Sequence, residues 1–142
     1  RYLYGTVSVS SDYTERSRTL IHEYLKCHCM LKELARDVQA KTPPTRMDLL
    51  SEDARLVPAA MGDLRILSAM VSDLEPDGRS IPVLLRQYLR LNGKMISFNV
   101  DSEFGDTLDC LVLVDLHNAP ERLISRYCGA PLNSAPKQAA EA

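Results

Sequence analysis

The sequence predicts an α/β fold in which a small sheet of three strands is packed by helices. Two stretches predict it. Residues 2–9 alternate between apolar and polar side chains ahead of a helical pattern, and residues 81–116 read as a helix, a stop signal and two strands. The 142 residues are of single-domain size, and 45% of them are apolar, which is sufficient for a core. The net charge of −2 argues against a nucleic-acid-binding protein.

The first two elements are a strand and a long helix. Apolar or small residues occupy every second position over residues 3–9, which predicts strand one. Asp12 and Glu15 resemble a capping box, and the apolar spacing that follows predicts a helix over about 13–34. His28 lies on its apolar stripe and is interpreted as a packed histidine, because nothing near it in the sequence supplies a catalytic partner.

The middle of the chain alternates between irregular and helical patterns. Residues 36–57 show no periodicity and contain Pro43-Pro44, so they are predicted to form a long connection. A helix follows over about 59–74. Another helix is predicted over residues 81–91, because Ser80 can cap its start and Asn92-Gly93 supplies a left-handed stop.

Two strands of different character come next. Residues 94–100 alternate, with Ile96, Phe98 and Val100 on one side, which predicts a strand with one buried face. Residues 108–116 are apolar without alternation. That pattern predicts a strand covered on both faces and therefore central in its sheet.

The order of elements predicts the topology. A helical crossover joins strands one and two, so they are predicted to be parallel, with strand three inserted between them and antiparallel to both. The sheet is therefore expected to be mixed. A last helix over about 120–127 is capped by Asn118 and stopped by Gly129. We expect one domain over 1–129 and a flexible tail over 130–142.

The cysteines show no metal-binding spacing. Cys27, His28 and Cys29 are close in sequence, but residues two apart on a helix point in different directions, and there is no second pair at the spacing of a structural zinc site. No metal site is predicted. Free thiols in a reducing cytoplasm are expected instead.

Two stretches resemble a known family. Residues 81–116, IPVLLRQYLRLNGKMISFNVDSEFGDTLDCLVLVDL, together with the opening RYLYGTVSVS, are similar to the C-terminal part of the bacterial hemolysin-like proteins of the GNAT-type acyltransferase superfamily, which include ornithine N-acyltransferases. The sequence departs from the family at Asn92, Ser102 and Cys110, where glycine, proline and glycine are frequent. The matching positions are Pro82, Arg86, Gln87, Tyr88, Asn99, Asp101, Phe104 and Asp109.

The resemblance implies the C-terminal half of a GNAT-like fold. It further implies a parent protein that moves a fatty acyl group from acyl carrier protein or coenzyme A to an amine such as ornithine, in lipid biosynthesis, in the cytoplasm or peripheral to the inner membrane. The sequence contains no glycine-rich phosphate loop, so no cofactor site is expected in this part. The missing N-terminal half and acyl carrier protein are expected partners, and no transmembrane segment is predicted.

Acyl transfer to an amine needs a base, and two carboxylates flank the loop between strands two and three. Asp101 and Asp109 are therefore the candidate catalytic residues. The alternative is that they only make the hydrogen bonds common for aspartate in turns. Arg86, Tyr88 and Asn99 are candidates for binding the acceptor, although an arginine on such a helix also serves as a structural ion-pair partner.

Two further expectations concern the chain as a whole. Strand-like residues begin at position 2 without an initiator methionine, which predicts a piece of a larger fold that is inactive alone. The edge predicted over residues 3–9 invites pairing with a second copy. The alternative function is a non-catalytic GNAT-like domain that binds or supports a lipid-acyltransferase partner domain.

Overall fold

A computed structural model describes residues 1–44 and 61–129. The tail predicted over 130–142 and most of the predicted connection lie outside the described residues. Eight helices and strands, together with a 3-10 turn at Ser102–Phe104, form the described part. They are β1 Tyr2–Val9, α1 Glu15–His28, α2 Lys32–Ala35, α3 Leu64–Leu74, α4 Val83–Arg90, β2 Lys94–Asp101, β3 Thr107–Asp115 and α5 Glu121–Cys128.

The three strands form one sheet in the order β1-β3-β2. The predicted insertion of the third strand is confirmed, since β3 pairs antiparallel with both β1 and β2. The prediction of a mixed sheet is not confirmed, because β1 and β2 are not neighbours and share no hydrogen bonds. Among the described residues, parallel pairing is confined to an isolated bridge between Met30 and Met95.

The two faces of the sheet differ in burial. Cys110 and Val112 of β3 are inaccessible, whereas Leu111 and Leu113 are only half-buried. The expectation that both faces of this strand are covered is therefore wrong, although its central position is right. We call the face that carries Val112 the inner face. The opposite, outer face carries Tyr2, Tyr4, Thr6, Ser8, Lys94, Ser97, Asn99, Asp101, Thr107, Asp109, Leu111, Leu113 and Asp115.

A β-bulge changes the predicted alternation in β2. The register shifts between Met95 and Ser97, so Met95 pairs with Val112 and Phe98 pairs with Cys110 on the inner face. The extra residue, Ile96, breaks the regular alternation of the strand. The prediction that Met95 lies on the face opposite Ile96, Phe98 and Val100 is therefore wrong, because Met95 and Phe98 both lie on the inner face.

Helices α1, α3 and α4 cover the inner face. Their buried side chains pack with the inner-face residues into one core, and α5 closes a smaller cluster around Val114 and Ile124. Burial of this apolar surface is the main driving force for the fold. The core helix residues are Leu20, Ile21, Tyr24, Leu25, Leu67, Val71 and Leu85.

The first helix is shorter than predicted. It ends at His28, and the chain then runs beside β2, where the Met95 amide donates to the Cys29 carbonyl and the Leu31 amide donates to the Met95 carbonyl, both at 2.8 Å. This pairing with the sheet competes with continuation of the helix. A separate short helix, α2, follows at Lys32–Ala35.

Helix starts use other residues than predicted. Thr14 accepts the first-turn hydrogen bond of α1 from Ser17, in place of Asp12. Asp63 caps α3 by accepting from the Arg65 amide, a capping role that the sequence analysis missed. Ser80 and Asn118 cap no helix, because Pro82 and Pro120 hold the N-cap positions of α4 and α5 without side-chain bonds.

Candidate functional site

The outer face carries a hydrogen-bonded pair across two strands. Ser8 of β1 lies opposite Asp109 of β3, and its hydroxyl donates to Asp109 Oδ1 at 2.5 Å. The second carboxylate oxygen of Asp109 accepts no hydrogen bond among residues 1–44 and 61–129. Asp109 therefore retains an acceptor oxygen that an external donor could use.

Asp101 and Asn99 lie beside this pair. Asn99 is the β2 residue opposite Asp109, and Asp101 lies two pairs further along, opposite Thr107, which is the next pair on the same face. Asp101 Oδ1 accepts from the Glu103 amide at 3.0 Å, and Asn99 Oδ1 accepts from the Thr42 amide at 2.7 Å. The structure thus places Asp101, Asp109 and Asn99 on one face and in adjacent rows of the sheet.

Arg86 and Tyr88 lie elsewhere. Both belong to α4, which packs against the inner face, and the Tyr88 hydroxyl lies 3.8 Å from where a Cβ at Gly5 would be. Asp109 points from the opposite face, since successive strand residues alternate. The expected grouping of Arg86 and Tyr88 with the carboxylates is therefore not formed by the described residues.

Arg86 instead lines a cavity in the helix layer. The cavity has a volume of about 420 Å³ and lies between α3 and α4, with Arg90 and Ser80 also in its wall. Arg86 and Arg90, four residues apart, share this side of α4, as the helical spacing predicts. The cavity is also lined by Arg65, Ser68 and Ser80. None of these three residues was predicted from the sequence to belong to a site.

Another cavity, of about 480 Å³, lies between α1 and the segment that follows α2. His22, Lys26 and Phe98 are among its lining residues. Burial lowers the pKa of His22, against the opposing effect of the Glu23 carboxylate, which lies 3.4 Å from its Nδ1 atom. The His22 ring packs edge-on against Phe98 at a centroid distance of 4.6 Å, which indicates a packed side chain. His22 was not among the residues predicted from the sequence, where His28 is the histidine on the apolar stripe of the first helix.

The two sheet edges are protected differently. The β2 edge is bonded to residues 29–31 and, at its far end, to Thr42. The β1 edge has no strand beside it in the described part of the chain. It carries no proline and no charge over residues 2–9, the features that usually prevent an edge from pairing.

Two further observations concern the described ranges as a whole. No group of three His, Cys, Asp or Glu side chains there is arranged to hold a metal ion. No helix there is long and apolar enough to cross a membrane.

Comparison with known proteins assigns no family. No protein-family model matches the sequence, and no curated protein and no solved structure matches it significantly.

Proposed function

We propose that the chain is the C-terminal half of a GNAT-like N-acyltransferase domain that transfers a fatty acyl group from an acyl thioester to an amine, such as an amino acid used in lipid biosynthesis. The observation that carries the proposal is the position of Asp109 and Asp101. Both carboxylates lie on the outer face of the sheet, and Ser8 joins Asp109 to β1, which has no second strand partner among the described residues.

Asp109 is assigned the role of general base. Its carboxylate takes a proton from the ammonium group of the acceptor, the freed amine nitrogen attacks the thioester carbonyl carbon, and the carbon–sulfur bond breaks with release of the thiol. The hydroxyl of Ser8 fixes the position of one carboxylate oxygen and leaves the other for the acceptor. Asn99, directly opposite Asp109, and Asp101, in the next row of the same face, would hold further polar atoms of the same molecule.

No described helix packs against the outer face, where Asp109, Leu111 and Leu113 are partly exposed. Electrostatic catalysis is strongest in a site from which water is excluded. Under the proposal, the missing N-terminal half pairs with the free edge of β1, covers the outer face and supplies the binding site for the acyl donor, which is acyl carrier protein or coenzyme A. The complete enzyme would then work in the cytoplasm or at the surface of the inner membrane.

The test compares residues 1–142 with the protein encoded by the complete gene. Both are incubated with an acyl thioester and ornithine, and release of the thiol is followed. We expect turnover by the complete protein and none by residues 1–142 above a heat-treated control. Turnover by residues 1–142 alone would overturn the assignment of the donor site to another part of the domain.

A second candidate is a non-catalytic GNAT-like domain that binds a lipid-acyltransferase partner domain. The exposure of Tyr4, at 80%, beside the half-buried Leu111 and Leu113 favours it, because tyrosines and aliphatic side chains are frequent in interfaces. In that case Tyr4→Ser weakens association with the partner domain, while Asp109→Asn leaves the activity of the complete protein unchanged.

A further inference from the structure

Two neighbouring cavities in the helix layer share Arg90, and arginine dominates both. The first, of about 420 Å³, lies between α3 and α4. The second, of about 520 Å³, lies between α4 and α5. We call the two together the arginine groove. Its lining residues are Leu64, Arg65, Ser68, Ser80, Arg86, Arg90, Arg122, Leu123 and Arg126.

The groove is strongly positive. No acidic residue lines either cavity. Arg65 is neutralised by Asp63, whose Oδ2 lies 2.8 Å from its Nη2, but the other four arginines make no salt bridge to any residue of 1–44 or 61–129. Glu121 precedes Arg122 and is exposed without lining the groove. Four guanidinium groups without a salt bridge to the described residues repel one another in one groove, and an anion between them would relieve that repulsion.

The guanidinium group of Arg86 is incompletely hydrogen-bonded. Its Nε atom is buried and has no hydrogen-bond partner, and its Nη2 atom reaches only the Ile81 carbonyl at 3.4 Å. A buried donor without an acceptor destabilises a protein, and more so when it is charged. An oxyanion in the first cavity would supply the acceptor. Ser68 and Ser80 line the same cavity, and the Ser80 hydroxyl donates to the Ser68 carbonyl at 3.3 Å.

We propose that the arginine groove binds a ligand that carries two phosphate groups, one in each cavity, with Arg90 between them. Guanidinium groups bind phosphate through paired, charge-assisted hydrogen bonds, and Arg122 and Arg126, four residues apart on α5, present two of them side by side. The volumes fall within the range of about 300–1,000 Å³ for small-molecule sites. The groove lies in the helix layer, away from Asp109, so this proposal does not depend on acyl transfer.

The phosphate groups could belong to a soluble molecule or to phospholipid headgroups. Val83 of α4, which is 67% exposed, and Leu84 beside it would contact acyl chains in the second case. In both cases Arg86 and Arg90 would bind phosphate. Titration with pyrophosphate and sedimentation with phosphatidylglycerol vesicles distinguish a soluble molecule from a phospholipid.

The first experiment is calorimetric titration of residues 1–142 with inorganic pyrophosphate. Arg90→Gln should raise Kd by about tenfold or more, because it removes charge-assisted hydrogen bonds to the anion. Arg86→Gln should do the same and should also change the thermal stability. Arg90 is exposed, so its variant should fold normally even if the Arg86 variant does not. Arg16→Gln, an exposed arginine of α1, is the control with the same change of charge.

The second experiment is sedimentation with phosphatidylglycerol vesicles, with phosphatidylcholine vesicles as the control. Binding that depends on Arg90, to either pyrophosphate or phosphatidylglycerol vesicles, supports the phosphate site and identifies the source. The proposal is overturned if neither probe binds saturably. It is equally overturned if Arg16→Gln weakens binding as much as Arg90→Gln, since the effect would then be one of overall charge.

Discussion

Glu75 Oε1 accepts two hydrogen bonds from Thr14, one from its amide and one from its hydroxyl, each at 2.8 Å. Glu75 directly follows α3, and Thr14 caps α1. The pair therefore ties the end of one core helix to the positive end of the other. Burial of Glu75 opposes ionisation, but hydrogen bonds from Ser17 and Thr14, with the Arg79 guanidinium, hold the pKa of its carboxyl below the ordinary value.

Glu75→Gln should destabilise the fold by about 1–3 kcal/mol at pH 7, because it weakens hydrogen bonds to a buried charge. A carboxyl with a lower pKa in the folded chain stabilises the fold above its unfolded pKa, and that contribution is lost as the pH falls through the folded value. The difference in unfolding free energy between the two proteins should therefore shrink below about pH 4.5, the ordinary glutamate value. Urea unfolding at several pH values measures it.

Glu15→Gln is the control for this experiment, because Glu15 is exposed in the first turn of the same helix. Its effect should stay within about 1 kcal/mol, the size of a charge interaction with a helix end. A Glu75→Gln effect that is independent of pH would contradict the role of the ionised carboxylate.

The sequence predicts the central position of β3 but not its uneven burial. The apolar run over residues 108–116 indicates that Leu108 and Val112 face a core. It does not show what covers Leu111 and Leu113, because covering is decided by other elements of the chain. The bulge at Ile96 was equally hidden, since Ile96 and Phe98 are both apolar and fit a regular alternation as well as a shifted one.

Because burial differs along β3, replacing its leucines with alanine should lower the free energy of unfolding by different amounts. Leu108 is fully buried, so Leu108→Ala should cost about 2–5 kcal/mol. Leu113 is half-buried, so less apolar surface returns to water and Leu113→Ala should cost less than about 2 kcal/mol. Chemical denaturation of the two variants of residues 1–142 compares them. Equal costs would show that the outer face at Leu113 is covered in solution.

The predicted left-handed stop at Asn92-Gly93 is confirmed at Asn92, whereas Gly93 is needed for a close approach. The left-handed residue is Asn92, with φ of 60°. A Cβ at Gly93 would lie 2.7 Å from the Tyr88 carbonyl oxygen and 3.1 Å from Val112 Cγ2. Gly93→Ala should therefore lower stability by about 1–3 kcal/mol, the usual cost of overpacking.

Gly62→Ala is the matched control for Gly93, because a Cβ at Gly62 would meet no atom within 4 Å. Its stability should be unchanged or up to about 1 kcal/mol higher, since alanine reduces the freedom of the unfolded chain. If both variants behave alike in thermal unfolding, the close approach of Gly93 to the end of α4 is not formed.

The cysteines should differ in reactivity. Burial raises the pKa of the Cys110 thiol to about 12, with Asp109 adding to the effect, whereas Cys27 is exposed. Because the thiolate is the reactive form, Cys27 should react with a disulfide reagent at pH 8 and Cys110 only after unfolding. Peptide mapping of the labelled protein identifies the sites. Labelling of Cys110 in the folded protein at the rate of Cys27 would contradict the burial of β3.

The candidate site was predictable only within the hairpin of β2 and β3. The loop between these strands brings Asp101 and Asp109 together, and the pairing of Asn99 with Asp109 follows from the same hairpin. Arg86 is close to β2 in sequence, but sequence proximity does not indicate on which face α4 packs. Ser8 was missed because its pairing with Asp109 spans 101 positions and depends on the insertion of β3 beside β1.

Asp109→Asn tests the proposed catalytic role most directly. An asparagine side-chain oxygen can still accept the hydrogen bond from Ser8, so the melting temperature should barely change. It cannot accept a proton from an ammonium group, so kcat/KM of the complete protein should fall by about 10²-fold or more. Asp101→Asn keeps the cap on the Glu103 amide and should show which of the two carboxylates is the base.

The control for these variants is Asp37→Asn, an exposed aspartate outside the sheet, which should alter neither activity nor stability. Thiol release from an acyl thioester, measured per folded molecule, separates the two interpretations of the carboxylates. A base gives lost activity at unchanged melting temperature. If Asp109→Asn and Asp101→Asn instead lose stability and retain activity per folded molecule, the aspartates support the hairpin and the acyltransferase proposal loses its catalytic group.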